Sequence, residues 1–168
     1  LLKSLNNLSK VFNNKQLLPV LNNFKFSLRR DKLEILASNN ETSIIDSIDT
    51  IDEKGDKVFD YQTTGDCLIP YRVLEIIRKL SGDNVSIDCI ADSYITIDDG
   101  NTSFKVNTIR VREYPDFVLS LAGDVIETDA KEFAKSIQQV AFAASNKDTT
   151  NLLTGVNITT KNRKLILS

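Results

Sequence analysis

Basic side chains recur at helical spacing in three segments of this sequence. The aligned residues are Lys3, Asn7, Lys10 and Asn14 in the first segment, Arg72 and Lys79 in the second, and Lys131, Lys135 and Gln138 in the third. Within each segment these positions share one helix face. A single face of this kind is usually only solvated. Three helix faces with the same basic character favour a common surface that binds phosphate groups without regard to base sequence.

Acidic side chains are concentrated in a different part of the sequence. Residues 31–66 contain ten Asp or Glu residues against three lysines, whereas residues 1–15 contain no acid. The formal net charge of −2 therefore conceals a division between basic helices and an acidic strand region. A chain divided in this way can present one positive surface although its total charge is slightly negative.

Residues for catalysis are scarce. Histidine is absent, which removes the commonest general base and the Ser-His, Cys-His and His-metal combinations. Asp46, Asp49 and the pair Asp98-Asp99 are the carboxylates that a hydrolase could use, but no Gly-rich phosphate loop, nucleophile elbow or metal cluster accompanies them. Cys67 and Cys89 lack metal-type spacing and predict free thiols in a reducing cytoplasm. We expect no catalytic residue, metal or cofactor.

Three amphipathic helices are predicted to carry the basic faces. The first begins the chain, where leucines recur at helical spacing. The second runs from Pro70, which is tolerated in a first helical turn, to about Leu80. The third is Ala130–Ser145, and Asp129 with Glu132 forms a capping box at its start.

Several of the remaining apolar segments alternate with a period of two, as in a half-buried antiparallel sheet. The predicted strands are Val20–Leu28, Lys32–Ser38, Thr42–Ile51, Val58–Leu68, Val85–Ile90, Tyr94–Asp98 and Ser103–Thr108. The chain contains no run of about 18 apolar residues, so no membrane span is predicted. The predicted fold class is α+β.

The sequence also repeats itself after 132 residues, so that residues 1–36 align with residues 133–168 without a gap. Identical pairs include Lys3/Lys135, Asn14/Asn146, Lys15/Lys147 and Leu21/Leu153. The repeat predicts a first domain at residues 1–118 and the opening of a second at residues 119–168, with a connector at Arg112–Ala122. A strand-like lead-in at Asp124–Thr128 has no counterpart before Leu1, and the second copy stops at Ser168. We expect both ends to be truncated.

Four stretches of the sequence resemble the beta sliding clamp family of bacterial replicative DNA polymerases. They are LLKSLNNLSKVFNNKQLLPVL, LIPYRVLEIIRKL, SFKVNTIRVREYPDF and FAASNKDTTNLLTGV, in that order along the chain. The resemblance covers essentially the whole chain. It implies a DNA-clamp fold, in which repeated modules of helices are backed by antiparallel sheets and two chains close head to tail into a ring. The helices line the hole of that ring and the sheets form its outer wall.

The resemblance also implies roles for particular residues. Lys15 and Lys147 match loop positions that contact DNA, and Arg72 matches a basic position on the second helix. With the helical faces, the predicted DNA contacts are Lys3, Lys10, Lys15, Arg72, Lys79, Lys135 and Lys147. Leu153 matches a leucine of the groove that accepts partner peptides.

The strand that contains Phe104 and Val106 matches the edge strand that pairs with another protomer. This sequence departs from the family at that interface. Asn101, Ser103 and Val73 occupy positions where basic residues often occur, which puts interface ion pairs in doubt.

The expected function is that of a DNA sliding clamp, a non-catalytic cytoplasmic subunit that gives the replicative polymerase processivity by encircling duplex DNA. The resemblance implies that its partners are double-stranded DNA, the polymerase, the clamp loader and repair proteins, and a second copy of the full-length chain. Two alternatives remain open from the residues alone. One is a hydrolase that uses the carboxylates named above, and the other is an α+β module that binds peptides but not DNA.

Overall fold

The computed structural model describes residues 1–12, 18–82, 84–90, 93–117, 125–145, 151–162 and 164–168. The chain divides into two compact units, Leu1–Val118 and Leu119–Ser168. None of the described helices combines the length and apolarity needed to cross a membrane.

The first unit contains two short helices and two antiparallel sheets. Its helices are α1 (Leu2–Leu8) and α2 (Val73–Lys79), with 3₁₀ helices at Ser9–Val11, Pro19–Asn22 and Val111–Glu113. Its strands are β1 (Asn23–Leu28), β2 (Lys32–Ser38), β3 (Ser43–Asp49), β4 (Gly65–Pro70), β5 (Ser86–Ile90), β6 (Tyr94–Asp98) and β7 (Ser103–Asn107). One sheet has the order β3-β2-β1-β4 and the other has the order β5-β6-β7. This arrangement confirms the predicted α+β class.

A single apolar cluster joins both helices to the inner faces of both sheets. Leu5 and Leu8 from α1 and Val73 from α2 are at most 1% exposed within it. Phe24 from β1 and Ile97 from β6 are fully buried in the same cluster. Because burial of apolar surface is the main favourable contribution to folding, this cluster fixes which face of each helix points outward.

A second, smaller cluster covers the opposite face of the four-stranded sheet. Leu68 projects from that face and packs with Leu21 and Tyr114. Burial raises the pKa of Tyr114 to about 12, because the charged phenolate is poorly solvated there. Phe117 lies edge-on to the Tyr114 ring, with 6.0 Å between the ring centroids. The Tyr-Pro-Asp-Phe stretch therefore packs on the first unit. The boundary between the two units, after Val118, lies within the connector predicted at Arg112–Ala122.

Several predicted elements have different bounds in the structure. Pro70 ends strand β4, where it lies opposite Asn23, and α2 begins only at Val73. The strand predicted at Val58–Leu68 is observed only from Gly65. Strands β2 and β6 have the predicted bounds. Proline is tolerated both at the end of an edge strand and in a first helical turn. The presence of Pro70 therefore does not distinguish a strand end from a helix start.

The second unit repeats the opening elements of the first. It contains helix α3 (Ala130–Ala141), a 3₁₀ helix at Asn151–Thr154, and strands β8 (Ile158–Lys161) and β9 (Lys164–Leu167). That 3₁₀ helix lies 132 residues after the one at Pro19–Asn22. The structure assigns no strand to residues 125–128 of the lead-in predicted at Asp124–Thr128, and Asp124 lies outside the described residues.

The pairing of β8 with β9 has the register of β1 with β2. In the first unit Leu28 lies opposite Leu33, and 132 residues later Thr160 lies opposite Leu165. Register is set by side-chain pattern and turn length, and a slip of one residue would reverse the faces of the strand. The conserved offset therefore confirms the internal repeat at the level of strand pairing.

Candidate nucleic-acid interface

Helix α1 exposes its basic residues because its leucines are buried. Leu5 and Leu8 are 1% and 0% exposed. Positions three and four residues apart share a helix face, so Lys3 and Asn7 point away from the core. Both are exposed, as is Lys10 in the 3₁₀ helix that follows. The exposed face predicted from spacing is thus present as far as Lys10, and Asn14 lies outside the described residues.

Helix α2 is arranged in the same way. Val73 and Leu74 are buried at 1% and 5% exposure, whereas Arg72 and Lys79 are exposed at its two ends. The acidic Glu75 is also exposed on this helix. The face of α2 opposite the core therefore carries one acid among its basic residues.

The outward faces of α1 and α2 are neighbours. Both helices pack on the same apolar cluster, and Arg78 of α2 donates a hydrogen bond from Nη2 to Oδ1 of Asn6 in α1. When two helices pack side by side on one core, the faces that point away from that core are exposed on the same side of the unit. The four cations Lys3, Lys10, Arg72 and Lys79 are referred to below as the basic surface.

The cations of the basic surface have no carboxylate within 4.0 Å in the described part of the chain. The ion pairs of the strand region and of the segment packed against it are Arg29–Asp66 at 2.7 Å, Lys32–Glu34 at 2.8 Å, Lys25–Asp116 at 4.0 Å, and Lys57–Asp60. Hydrogen bonding to Glu34 raises the pKa of Lys32. Lys25, Arg29, Lys32 and Lys57 are therefore paired with carboxylates, whereas the four cations of the basic surface are not. Lys54 in the acidic strand region and Lys105 on β7 also have no carboxylate within 4.0 Å among the described residues.

In the second unit Lys135 lies on α3 and is exposed. The helix begins at Asp129, whose Oδ1 accepts hydrogen bonds from the backbone N–H groups of Lys131 and Glu132. This geometry confirms the Asp129 half of the predicted capping box. The apolar side of α3 is only half-buried, as at Phe133.

Lys15 and Lys147, the two loop lysines predicted to contact DNA, lie outside the described residues. Their predicted role is carried forward below as a proposal.

Leu153 is 63% exposed, and its neighbour Leu152 is 90% exposed. The backbone carbonyl of Leu153 accepts a hydrogen bond of 2.7 Å from the N–H of Ser145, which ties the 3₁₀ helix to the residues after α3. Its repeat-related counterpart Leu21 is only 1% exposed. Leu21 is buried there against Leu68 and Tyr114.

Phe104 and Val106 lie on β7, at the edge of its sheet among the described strands. Their side chains are half-buried and pack against the main core of the first unit. Ser103, Lys105 and Asn107 point to the other side and are exposed. The apolar side chains are therefore engaged within the first unit, and the open edge of β7 offers backbone groups.

The direction of those backbone groups follows from two hydrogen bonds. The N–H of Thr108 donates to the carbonyl of Ser93, and the N–H of Asp99 donates to the carbonyl of Thr102. In an antiparallel pair, the backbone N–H and C=O groups of every second residue form hydrogen bonds to the same neighbouring strand. Phe104 and Val106 therefore bond to β6, and the N–H of Lys105 points to the open edge.

The carboxylates considered for hydrolysis have structural roles or lie apart. Asp98 accepts from the N–H of Gly100, and Asp99 accepts from the N–H groups of Ser81, Gly82, Asn101 and Thr102. Asp46 and Asp49 lie on β3 of the other sheet. Among the described residues, no group of three or more Cys, Asp or Glu side chains is placed to hold a metal ion.

The structure also shows contacts that the sequence patterns did not predict. Arg78 links α1 to α2, and the ammonium of Lys105 lies 3.7 Å from the centroid of the Tyr94 ring. Both contacts join residues of different elements. Residue spacing within an element carries no signal for such contacts.

The geometry defines an α+β module with an exposed basic helical surface, and the opening elements of this module recur later in the chain. Residues 1–119 match the family described as "DNA polymerase III beta subunit, N-terminal domain", and residues 127–168 match its central domain. The chain belongs to the DNA polymerase III beta subunit family.

Individual relatives agree with that assignment. The chain is 28% identical over 164 residues to the beta sliding clamp of Staphylococcus aureus, covering 96% of this chain and 43% of that protein. Identity to the Staphylococcus epidermidis beta sliding clamp is 26% over 166 residues, covering 98% and 44%. The chain spans less than half the length of these relatives.

The fold agrees as well. The crystal structure of the DNA polymerase sliding clamp from Bacillus subtilis matches with a TM-score of 0.93 at 23% identity, covering 99% of this chain and 44% of that one. The Caulobacter crescentus pol III beta structure matches with a TM-score of 0.81 at 24% identity, with the same coverage. These structures confirm the clamp fold expected from the sequence.

Proposed function

We propose that the full-length protein is a sliding clamp that encircles duplex DNA and keeps a replicative polymerase on its template, without itself catalysing a reaction. Family membership supports this function for the whole protein. The observation that carries it within this chain is the basic surface, whose four cations lack carboxylate partners among the described residues. Cations held on a rigid core and free of intramolecular partners are suited to phosphate contacts.

The proposed DNA contacts have no sequence preference. Lysine and arginine bind phosphate oxygens largely through charge and the release of counterions, and these interactions are similar at every base pair. The proposed contact residues are Lys3, Lys10, Lys15, Arg72, Lys79, Lys135 and Lys147. A ring with such contacts can move along DNA because each contact is exchanged for an equivalent one. The acidic strand region would repel phosphates on the side away from the helices.

The proposed assembly and partners follow the family. Two full-length chains close head to tail, and β7 of the first unit contributes the backbone edge next to Phe104 and Val106. Leu153 contributes to a groove that accepts apolar side chains of short peptides from the polymerase, the clamp loader and repair proteins.

The test compares two forms of DNA. Full-length protein is loaded by its clamp loader onto nicked circular DNA and onto the same DNA after linearisation, and retention is measured by gel filtration. We expect retention on the circle and loss from the linear form, because a ring leaves a linear duplex at its ends. Equal retention on both forms would contradict encirclement.

Charge reversal tests the basic surface directly. The double substitution Lys3→Glu and Lys10→Glu is expected to weaken equilibrium DNA binding and to reduce the slope of log K against log salt by about 2, since each phosphate contact contributes about 0.9. The matched control is Lys54→Glu, which makes the same change at an exposed residue of the acidic strand region. If the control and the double variant bind equally well, the basic surface does not contact DNA.

A peptide-binding module without DNA affinity is the second candidate. Under this alternative, peptide binding would depend on Leu153 while the charge reversals would have no effect on any activity. Peptide titrations of the full-length protein carrying Leu153→Ala, run beside the charge variants, separate the two candidates.

A further inference from the structure

Arg78 has an acidic residue at ion-pair spacing on its own helix. Glu75 precedes it by three residues in α2, and both side chains are exposed. Opposite charges three residues apart lie on one helix face and commonly attract each other. The two side chains nevertheless form no ion pair, since Arg78 has no carboxylate within 4.0 Å among the described residues.

The guanidinium of Arg78 is directed toward α1 instead. Its Nη2 donates a hydrogen bond to Oδ1 of Asn6, a half-buried residue of α1. Leu5 and Leu8 of α1 and Val73 of α2 pack in one apolar cluster, which holds the Asn6 amide in place relative to α2. An amide oxygen is a neutral acceptor. The hydrogen bond therefore orients Arg78 without cancelling its charge.

Arg78 thus retains its charge and most of its donors for another ligand. A guanidinium carries five N–H donors, and the hydrogen bond to Asn6 is made by one of its nitrogens. The planar group matches the geometry of phosphate oxygens and binds them through parallel N–H groups. Lys79 of the basic surface is the next residue of α2, so Arg78 lies beside that surface.

We propose that Asn6 is a positioning residue, which holds Arg78 away from Glu75 and so makes Arg78 a fifth cation for the phosphate groups of duplex DNA. This inference rests on the proposed clamp function and deepens it, because it makes one phosphate contact depend on an uncharged residue. Neither Asn6 nor Arg78 is among the DNA contacts predicted from the sequence. Spacing along α2 gives no signal for an acceptor on α1.

Without the Asn6 amide, Arg78 and Glu75 are expected to pair. Each charge would then be neutralised by the other, and a phosphate contact would require that pair to be broken. Fewer counterions would be released when DNA binds. The slope of log K against log salt measures this release, and one phosphate contact contributes about 0.9 to its magnitude.

The experiment measures binding of the full-length protein to a fluorescently labelled DNA duplex by anisotropy over a range of salt concentrations. Arg78→Ala is expected to reduce the magnitude of the slope by about 0.9. Asn6→Ala is expected to reduce it measurably and by no more than Arg78→Ala does, although it removes no charge. Asn84→Ala makes the same change at an exposed asparagine before β5 and is expected to leave the slope unchanged. Circular dichroism on heating checks that each variant is folded.

The substitution Glu75→Gln distinguishes positioning of the Arg78 charge from a purely structural link between the helices. Added to Asn6→Ala, it removes the competing carboxylate, and the slope is expected to return to that of the unsubstituted protein. Added to Arg78→Ala, it is expected to restore nothing, because no guanidinium remains to be released. A link that only held the helices together would be lost in both variants and restored in neither.

The positioning role is wrong if either Arg78→Ala or Asn6→Ala leaves the slope unchanged, or if Glu75→Gln has the same effect in both backgrounds. The variant with Lys3→Glu and Lys10→Glu, measured in the same series, tests the proposed function separately. If that variant loses slope while Asn6→Ala and Arg78→Ala behave like the unsubstituted protein, only the positioning role fails. If no variant changes the slope, the helices do not contact DNA and both proposals fail.

Discussion

The charged residues of the first unit differ in what their side chains contact. Arg29 pairs with Asp66, whereas Lys3 and Lys10 have no carboxylate partner among the described residues. Asp99 is bound by four backbone N–H groups, two from the turn between β6 and β7 and two from the residues after α2. A carboxylate that accepts several backbone hydrogen bonds works as a structural group.

Asp99 leads to a prediction about stability and pH. The N–H groups of Thr102 and Asn101 hold the pKa of Asp99 below its ordinary value of 3.8, outweighing the opposing effect of burial. A lowered folded-state pKa contributes stability above the unfolded-state pKa, and this contribution disappears as the pH falls through the folded-state value. We expect Asp99→Ala to lower the Tm at neutral pH, and the difference from the unsubstituted protein to shrink below about pH 4.

Thermal unfolding followed by circular dichroism between neutral and acidic pH measures this difference. The matched control is Asp49→Ala, which removes an exposed carboxylate from β3. A Tm difference for Asp99→Ala that stayed constant down to the most acidic pH would contradict the assigned role.

At the level of elements, the short helices depend on the core for their position. Helix α1 has seven residues and no side-chain cap, and α2 is equally short and also uncapped. Isolated helices of this length are unstable in water, so their stability comes from the apolar face that packs on the sheets. The surface that carries the proposed DNA contacts is therefore held by leucines on the opposite side of the same helices.

This dependence predicts the effect of core substitutions on the basic surface. Leu8 is 0% exposed, and Leu8→Ala is expected to cost about 2–5 kcal/mol through lost apolar contacts and a cavity. Leu2 is 39% exposed on the same helix, so Leu2→Ala is expected to change the free energy of unfolding by no more than about 0.5 kcal/mol. Urea unfolding of both variants checks the difference. Equal losses would show that α1 is not docked through Leu8.

At the level of the whole molecule, ring closure would require an open strand edge. Strand β7 ends its sheet among the described strands, and its Phe104 and Val106 side chains are engaged in the core. The proposed contact with another protomer is therefore made through outward N–H and C=O groups, including the N–H of Lys105. Unpaired edge groups readily add a further strand, whatever their side chains.

A proline substitution tests this contact. Lys105→Pro removes an N–H that points to the open edge and leaves the bonds to β6 in place, so we expect weaker dimerisation of the full-length protein with a retained fold. Lys105→Ala removes the same side chain and its contact with Tyr94 but keeps the N–H, so dimerisation should be unchanged. Sedimentation velocity over a range of protein concentrations measures both. A weakened dimer in Lys105→Ala alone would assign the contact to the side chain.

The sequence by itself determined the features that repeat along one segment of chain. The leucine stripe of the first helix, the exposure of Lys3 and Lys10, the bounds of β2 and β6, and the 132-residue repeat all follow from spacing. Helices and strands have fixed side-chain periods, so a pattern within a segment reports which face is buried without knowledge of the partner. Most of the candidate site within the first unit could be found in this way.

Only the tertiary structure decided which segments meet. Pro70 could begin a helix or end a strand, and pairing with Asn23 resolved it as the end of β4. The link between Arg78 and Asn6 joins residues that are distant in sequence. Such contacts depend on how sheets and helices pack around a shared core, and this long-range packing has no period along the chain that a sequence pattern could report.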